Sequence, residues 1–160
     1  MSNNEKFARN LVKGKIAETV FAQMLREVGG FTVLEFGYEK VIPELLNSDL
    51  NKSDSKAIVD IIRHAPDFAV INSTNKTVHL IEVKYQKHLS KKYCLEDAQR
   101  MHDSWNPSYL FVATLDGFYF DEITKIIEND GAISPLEHPQ IPKDVQDRYL
   151  QILRDFEQGN

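Results

Sequence analysis

Cysteine is almost absent from this chain of 160 residues. The single residue, Cys94, excludes an internal disulfide and any zinc site built on several thiolates. Glycine and proline number only 7 and 6, so a collagen-like pattern is excluded, and no low-complexity tract or internal repeat is visible. No apolar run approaches about 18 residues, so no membrane span is expected. The opening MSNNEKFARN has no apolar signal stretch, and a cytoplasmic location is the expectation. What is present is ordinary for a globular protein: 42% hydrophobic and 27% charged residues, enough to bury a substantial core as one domain over 1–160.

The net charge of −5 conceals an asymmetry. Residues 1–115 carry 15 basic and 14 acidic side chains, whereas 116–160 carry 4 and 10. Within 84–100, Lys84, Lys87, Lys91, Lys92 and Arg100 face only Glu96 and Asp97. Phosphate contacts need local positive charge of this kind, although such a run by itself also fits a solvated helix face.

Local patterns predict an alternation of helices and strands. A helix over 5–28 is stopped by Gly29-Gly30, and the β-branched and aromatic run 31–36 reads as a strand. Residues 39–55 form a long connection. A short helix from about 55 to 64, with Ile58, Val59, Ile61 and Ile62 on its apolar side, is ended by Pro66. Strands at 67–71 and 77–84, joined by the polar turn 72–76, form a hairpin. A basic helix over 88–104, a buried strand over 108–114, a short edge strand at 118–120, a helix capped by Asp121 and running to about 128, and a last helix over 143–157 complete the order. The expected architecture is α/β, a central mixed sheet of about five strands flanked by helices, with an acidic helical segment over 116–160.

The chemistry converges on the hairpin. Side chains alternate along a strand, so Glu82 and Lys84 share one face and Val83 points to the other. The start of one hairpin strand lies opposite the end of its partner, which places Asp67 near both. Val78 and Leu80 share Glu82's face, so the charges are expected to continue an apolar row and to be partly buried. Buried carboxylates must be paired, protonated or bound to a cation, and one lysine cannot neutralise two of them. Two carboxylates, a backbone carbonyl and waters suit Mg²⁺ or Mn²⁺ better than zinc. The first helix adds a third acid. At about 100° per residue, Leu11 and Leu25 lie about 20° either side of Glu18, with Gly14 and Ala22 about 40° away, which would let the helix approach the sheet closely. A glutamate on that face either pairs with a lysine or arginine at the core edge or points to the same cation.

The pattern Glu18 … Pro66-Asp67 … Glu82-Val83-Lys84 resembles the PD-(D/E)XK nuclease superfamily, the restriction-endonuclease-like fold, over roughly residues 8–115. Within it, the segment GKIAETVFAQMLREVGGF is most similar to archaeal Holliday-junction resolvases and related small nucleases. The resemblance implies that Glu18, Asp67 and Glu82 bind Mg²⁺ (or Mn²⁺) with the Val83 carbonyl, and that Lys84 orients or activates the attacking water. It implies an endonuclease acting on DNA, branched or structured DNA included, with Lys87, Lys91, Lys92 and Arg100 contacting phosphates. A homodimer follows by analogy with small nucleases that cut two strands. Two other readings stay open: a catalytically inactive nucleic-acid- or protein-binding module of the same fold, and a nuclease directed at RNA.

Secondary candidates are Tyr85 and Gln86 as lining residues and Gln99 on the following helix. His64 either approaches the cation or caps a helix end. His79 faces away from Glu82 by parity, and His88, His102 and His138 have no partner by spacing. Trp105 and Phe118-Tyr119-Phe120 read as core or subunit interface, and Cys94 has no motif to support a nucleophilic role. The acidic segment 116–160 is expected to face away from substrate or to make a dimer contact.

Overall fold

The structure is a computed structural model that describes residues 1–37 and 56–159; the connection expected over 39–55 lies outside the described residues. The elements run α1 (Asn3–Val28), β1 (Phe31–Glu35), α2 (Lys56–Arg63), β2 (Phe68–Asn72), β3 (Thr77–Tyr85), α3 (Lys91–Ser104), β4 (Tyr109–Ala113), β5 (Phe118–Glu122), α4 (Ile123–Glu128) and α5 (Lys143–Gln158). Every expected element is present, and the boundaries differ by a few residues at most. The strands form one five-stranded sheet in the order β1-β2-β3-β4-β5. All neighbours are antiparallel except β3 and β4, which run parallel. A parallel pair needs a crossover connection, and α3 supplies it. No helix among the described residues is long and apolar enough to cross a membrane.

Strand alternation divides the interior into two layers. Phe111 and Ala113 of β4 join Val83, Ile81, Phe68 and Val70 in a core beneath α1 and α5. Leu110 and Val112 turn the other way, onto Cys94, Ala98 and Met101 of α3 and Ile123 and Ile126 of α4. The register pairs Glu82 with Leu110 and Lys84 with Val112. Both charged residues therefore belong to the α3 side of the sheet, and Val83 belongs to the α1 side.

Phe111 sits at the centre of the first layer, its ring 4.8 Å from that of Phe21 and 5.4 Å from that of Phe118. Phe111→Ala removes a fully buried ring from between a helix and two strands. It is expected to lower stability by about 3–5 kcal/mol, read as a drop in urea midpoint at unchanged slope.

Four expectations are corrected. Ile58 and Ile61, assigned to the apolar side of α2, are exposed, and Trp105 Nε1 donates to the Ile61 carbonyl at 2.8 Å. Asp121 does not cap α4. Glu122 occupies that position without a side-chain bond, because Asp121 Oδ2 accepts the Ser134 N–H at 2.6 Å and Oδ1 pairs with Lys125. The basic helix starts at Lys91 rather than at 88, with Ser90 as its cap accepting from the Tyr93 N–H. Gly14 does not mark close approach to the sheet, since a Cβ there would meet nothing within 4 Å. A real close approach occurs at Gly131 (φ 94°), where a Cβ would lie 2.2 Å from the Lys91 carbonyl oxygen, so the start of α3 rests directly on backbone.

Candidate active site

Asp67 is fixed by its neighbours before its side chain acts. Pro66, fully buried, sets its entry into β2, and the Asp67 carbonyl accepts from the Phe36 and Gly37 N–H groups at 2.8 and 3.2 Å. Phe68 pairs with Ile81, so Asp67 stands across from Glu82, as the hairpin geometry predicts. Its Oδ2 accepts the Val83 N–H at 2.9 Å. Burial pushes the Asp67 carboxyl up to about 8, reinforced by a hydrogen bond to Glu82 and by Glu82's charge; the Val83 N–H and Lys84 oppose the rise. Burial disfavours a second negative charge on Asp67 beside Glu82.

Glu82 is 8% exposed. The apolar row expected to bury it is not the cause, because Val78 is 64% exposed. The cover comes from α3. Arg100 Nη2 lies 3.3 Å from Glu82 Oε2 and 3.3 Å from Asp97 Oδ1, and Lys84 Nζ lies 3.8 Å from Glu82 Oε2. Burial also raises the Asp97 carboxyl, against the pull of Lys84 and Arg100. Arg100, expected on the phosphate-facing surface, reaches back from α3 to Glu82 with 37% of its side chain still exposed. Gln99 lies away from the site, lining a shallow hollow with His102, Asp103 and Thr124.

These groups open onto a cleft of about 740 Å³. Asp67, Glu82, Val83 and Lys84 line it, and Glu18 and Gly14 reach it from α1. Glu18 keeps about a quarter of its side chain exposed, and its Oε2 lies 3.1 Å from Lys15 Nζ. It therefore approaches from the α1 side of the sheet whereas Glu82 faces α3. Among the described residues, no three His, Cys, Asp or Glu side chains gather as a group that would hold a metal ion. The structure brings together Asp67, Glu82 and Lys84, and leaves Glu18 at the rim of the same cleft.

The rest of the lining is basic. Lys87, Lys13 and Arg63 join Lys84 in the walls. Lys91 and Lys92 are exposed on the first turn of α3. Tyr85 lines the cleft as expected, but Gln86 does not: its Oε1 accepts from the Ser90 N–H and its amide points to Cys94. Arg63 and Ala65 line the cleft, and His64 between them does not. Sequence reasoning missed Lys13, Arg63 and Asp97.

The acidic segment does not face wholly away. α5 crosses α1, with Arg148 paired to Glu27 and the Tyr149 hydroxyl donating to the Gln23 carbonyl. Its last turn brings Glu157 to Lys13 and Tyr85 in the cleft wall. The sequence matches no protein-family model, and no curated protein matches it significantly.

Proposed function

We propose that this chain is a Mg²⁺- or Mn²⁺-dependent endonuclease of the PD-(D/E)XK type, with a restriction-endonuclease-like fold, hydrolysing phosphodiester bonds in DNA. The observation that carries the reading is the facing Asp67/Glu82 pair, with Glu82 buried and Lys84 beside it, in a cleft walled by Lys13, Arg63 and Lys87. The donor set fits a hard divalent cation. Burial beside Glu82 holds the Asp67 carboxyl up to about 8, and a cation would take the place of its proton. Asp67, Glu82 and the Val83 carbonyl would hold it, with Glu18 completing the set from the rim. When bound, the cation supplies charge neutralisation at the phosphate and a more acidic water.

The chain's own residues do the remainder. Lys84, on the face of Glu82, presents a mobile point charge to the scissile phosphate and orients the attacking water. Arg100, itself paired with Asp97, holds the Glu82 carboxylate from the α3 side. Lys87, Lys91 and Lys92 draw the phosphate backbone toward the cleft without reading bases.

A second reading, a binding module of the same fold, is favoured by one feature: Glu82 is already matched by Arg100 and Lys84. One experiment separates the two. The protein is incubated with supercoiled plasmid, a four-way DNA junction and single-stranded RNA, each with Mg²⁺, Mn²⁺ or EDTA, alongside Lys84→Ala. Metal-dependent cutting of DNA, reduced about 10²-fold or more in Lys84→Ala, is the expected result. Binding without cutting on every substrate would give the site to the module reading, and cutting confined to RNA would redirect the substrate class.

A further inference from the structure

Lys13 and Glu157 stand at opposite ends of the chain and meet at the cleft. Lys13 Nζ lies 3.0 Å from Glu157 Oε1 and 2.8 Å from Oε2, with only 14% and 15% of the two side chains exposed. The Tyr85 hydroxyl donates to Glu157 Oε2 at 3.2 Å, and the Lys13 ammonium sits 5.6 Å from the centre of the Tyr85 ring. An exposed lysine–glutamate pair contributes little, but this one is enclosed, and Lys13 is nonetheless a wall of the cleft.

We infer that Lys13 binds a substrate phosphate flanking the scissile one and that Glu157 is the residue that positions it, so that the last turn of α5 is part of the site. The inference rests on the nuclease reading above. An ammonium carries three N–H donors. Glu157 engages its two oxygens, and at least one donor remains for a phosphate oxygen. Space for that phosphate lies alongside, because Gly14 leaves the neighbouring position open. A lysine is ordinarily a poor fixed contact, since its four-carbon stem loses rotamer freedom on binding. Here the Tyr85 ring and the Glu157 carboxylate hold the head group beforehand, which reduces the ordering cost that binding must overcome.

The charge states suit that role. The Lys13 hydrogen bond holds Glu157 below the usual carboxylate range, so it stays ionised. Burial, helped by the Glu157 charge, pushes Tyr85 up to about 12, so it stays a donor. Strand parity then places two lysines around one track: Lys84 from the α3 side of β3, and Lys13 over Tyr85 on the α1 side. The arrangement also predicts a non-additive effect. Without Lys13, the Glu157 carboxylate is left facing an anionic substrate, so removing both charges should be less damaging than removing the lysine alone.

The test uses the full chain and a fluorescein-labelled 20-nucleotide DNA, as single strand and as duplex. Steady-state cleavage is measured with Mg²⁺, and binding is measured in EDTA across a salt series. Lys13→Met is expected to raise KM about 10-fold with kcat within about 3-fold, and to reduce the slope of log K against log salt by about one. Lys13→Arg should restore KM, Glu157→Gln should raise it less than Lys13→Met, and the double variant should lie below Lys13→Met. Should Lys13→Met fail to fold by thermal melting, Glu157→Gln and Tyr85→Phe carry the comparison. A wild type that cuts while Lys13→Met and Glu157→Gln keep its KM and salt slope would overturn the inference alone. A wild type that neither binds nor cuts DNA would instead remove the nuclease reading beneath it.

Discussion

Replacing Glu82 by glutamine is expected to lower metal-dependent cleavage by about 10²- to 10³-fold while leaving the fold standing. Glutamine has the same shape, and its amide can still accept from Arg100 through oxygen and donate to Asp67 through nitrogen. What disappears is the negative charge that the cation needs and the like charge that raises Asp67. Two readouts should therefore move together. Cleavage should fall, and the Asp67 carboxyl, followed by ¹³C NMR without metal, should drop from about 8 toward its ordinary range. Glu82→Asp keeps the charge but withdraws it by one methylene from Arg100 and Asp67, so its activity should fall between the two. Wild-type cutting by Glu82→Gln would take the Asp67/Glu82 pair out of the reaction. A fall in cutting with Asp67 unmoved would mean that burial, not the Glu82 charge, sets the Asp67 carboxyl.

The parts of this protein that were legible in its sequence are those governed by short-range rules. The hairpin follows from two β-rich runs and the turn between them. The meeting of Asp67 with Glu82 follows from the hairpin, and the shared face of Glu82 and Lys84 follows from alternation alone. Burial of Glu82 was anticipated, but its cause was not. A strand's own pattern shows which residues share a face, not what packs upon it. The cover is α3, whose Arg100 looked from composition like one more surface cation and is in fact the counter-charge of the buried acid. Asp121 shows the same limit. It has the right type and place for a helix cap, but its carboxylate is taken by the Ser134 N–H, in a turn that only the folded edge of β5 creates. The Lys13–Glu157 pair spans 144 positions. Summing charge over 116–160 made that segment look uniformly repellent to a polyanion, and only the crossing of α5 over α1 singles out the one acid that sits beside the cleft.

The second large effect is on metal affinity as pH changes, and its sign is set by Asp67. An isolated aspartate ionises near 3.8, whereas this one is held protonated until about 8. Between those values the folded protein keeps a proton that the unfolded chain has released. The contribution of Asp67 to metal-free stability therefore declines as pH rises through that window, and Asp67→Asn should relieve the decline. A cation must displace the same proton to use both carboxylates. Apparent Mn²⁺ affinity is thus expected to strengthen by about tenfold per pH unit below 8 and to level off above it, gaining about 50-fold between pH 6 and pH 8 and approaching 100-fold by pH 9. Calorimetric titration with Mn²⁺ in buffers of different ionisation enthalpy checks this directly, and should count about one proton released per ion bound at pH 6 to 7. Asp67→Asn should abolish the proton release and weaken binding at pH 9, where the wild type has gained most of its charge. Affinity that stays flat from pH 6 to 9 would mean that the ion does not enter between Asp67 and Glu82. Asp67 and Glu82 would then be a structural pair, and the cleft's basic walls would serve binding without hydrolysis.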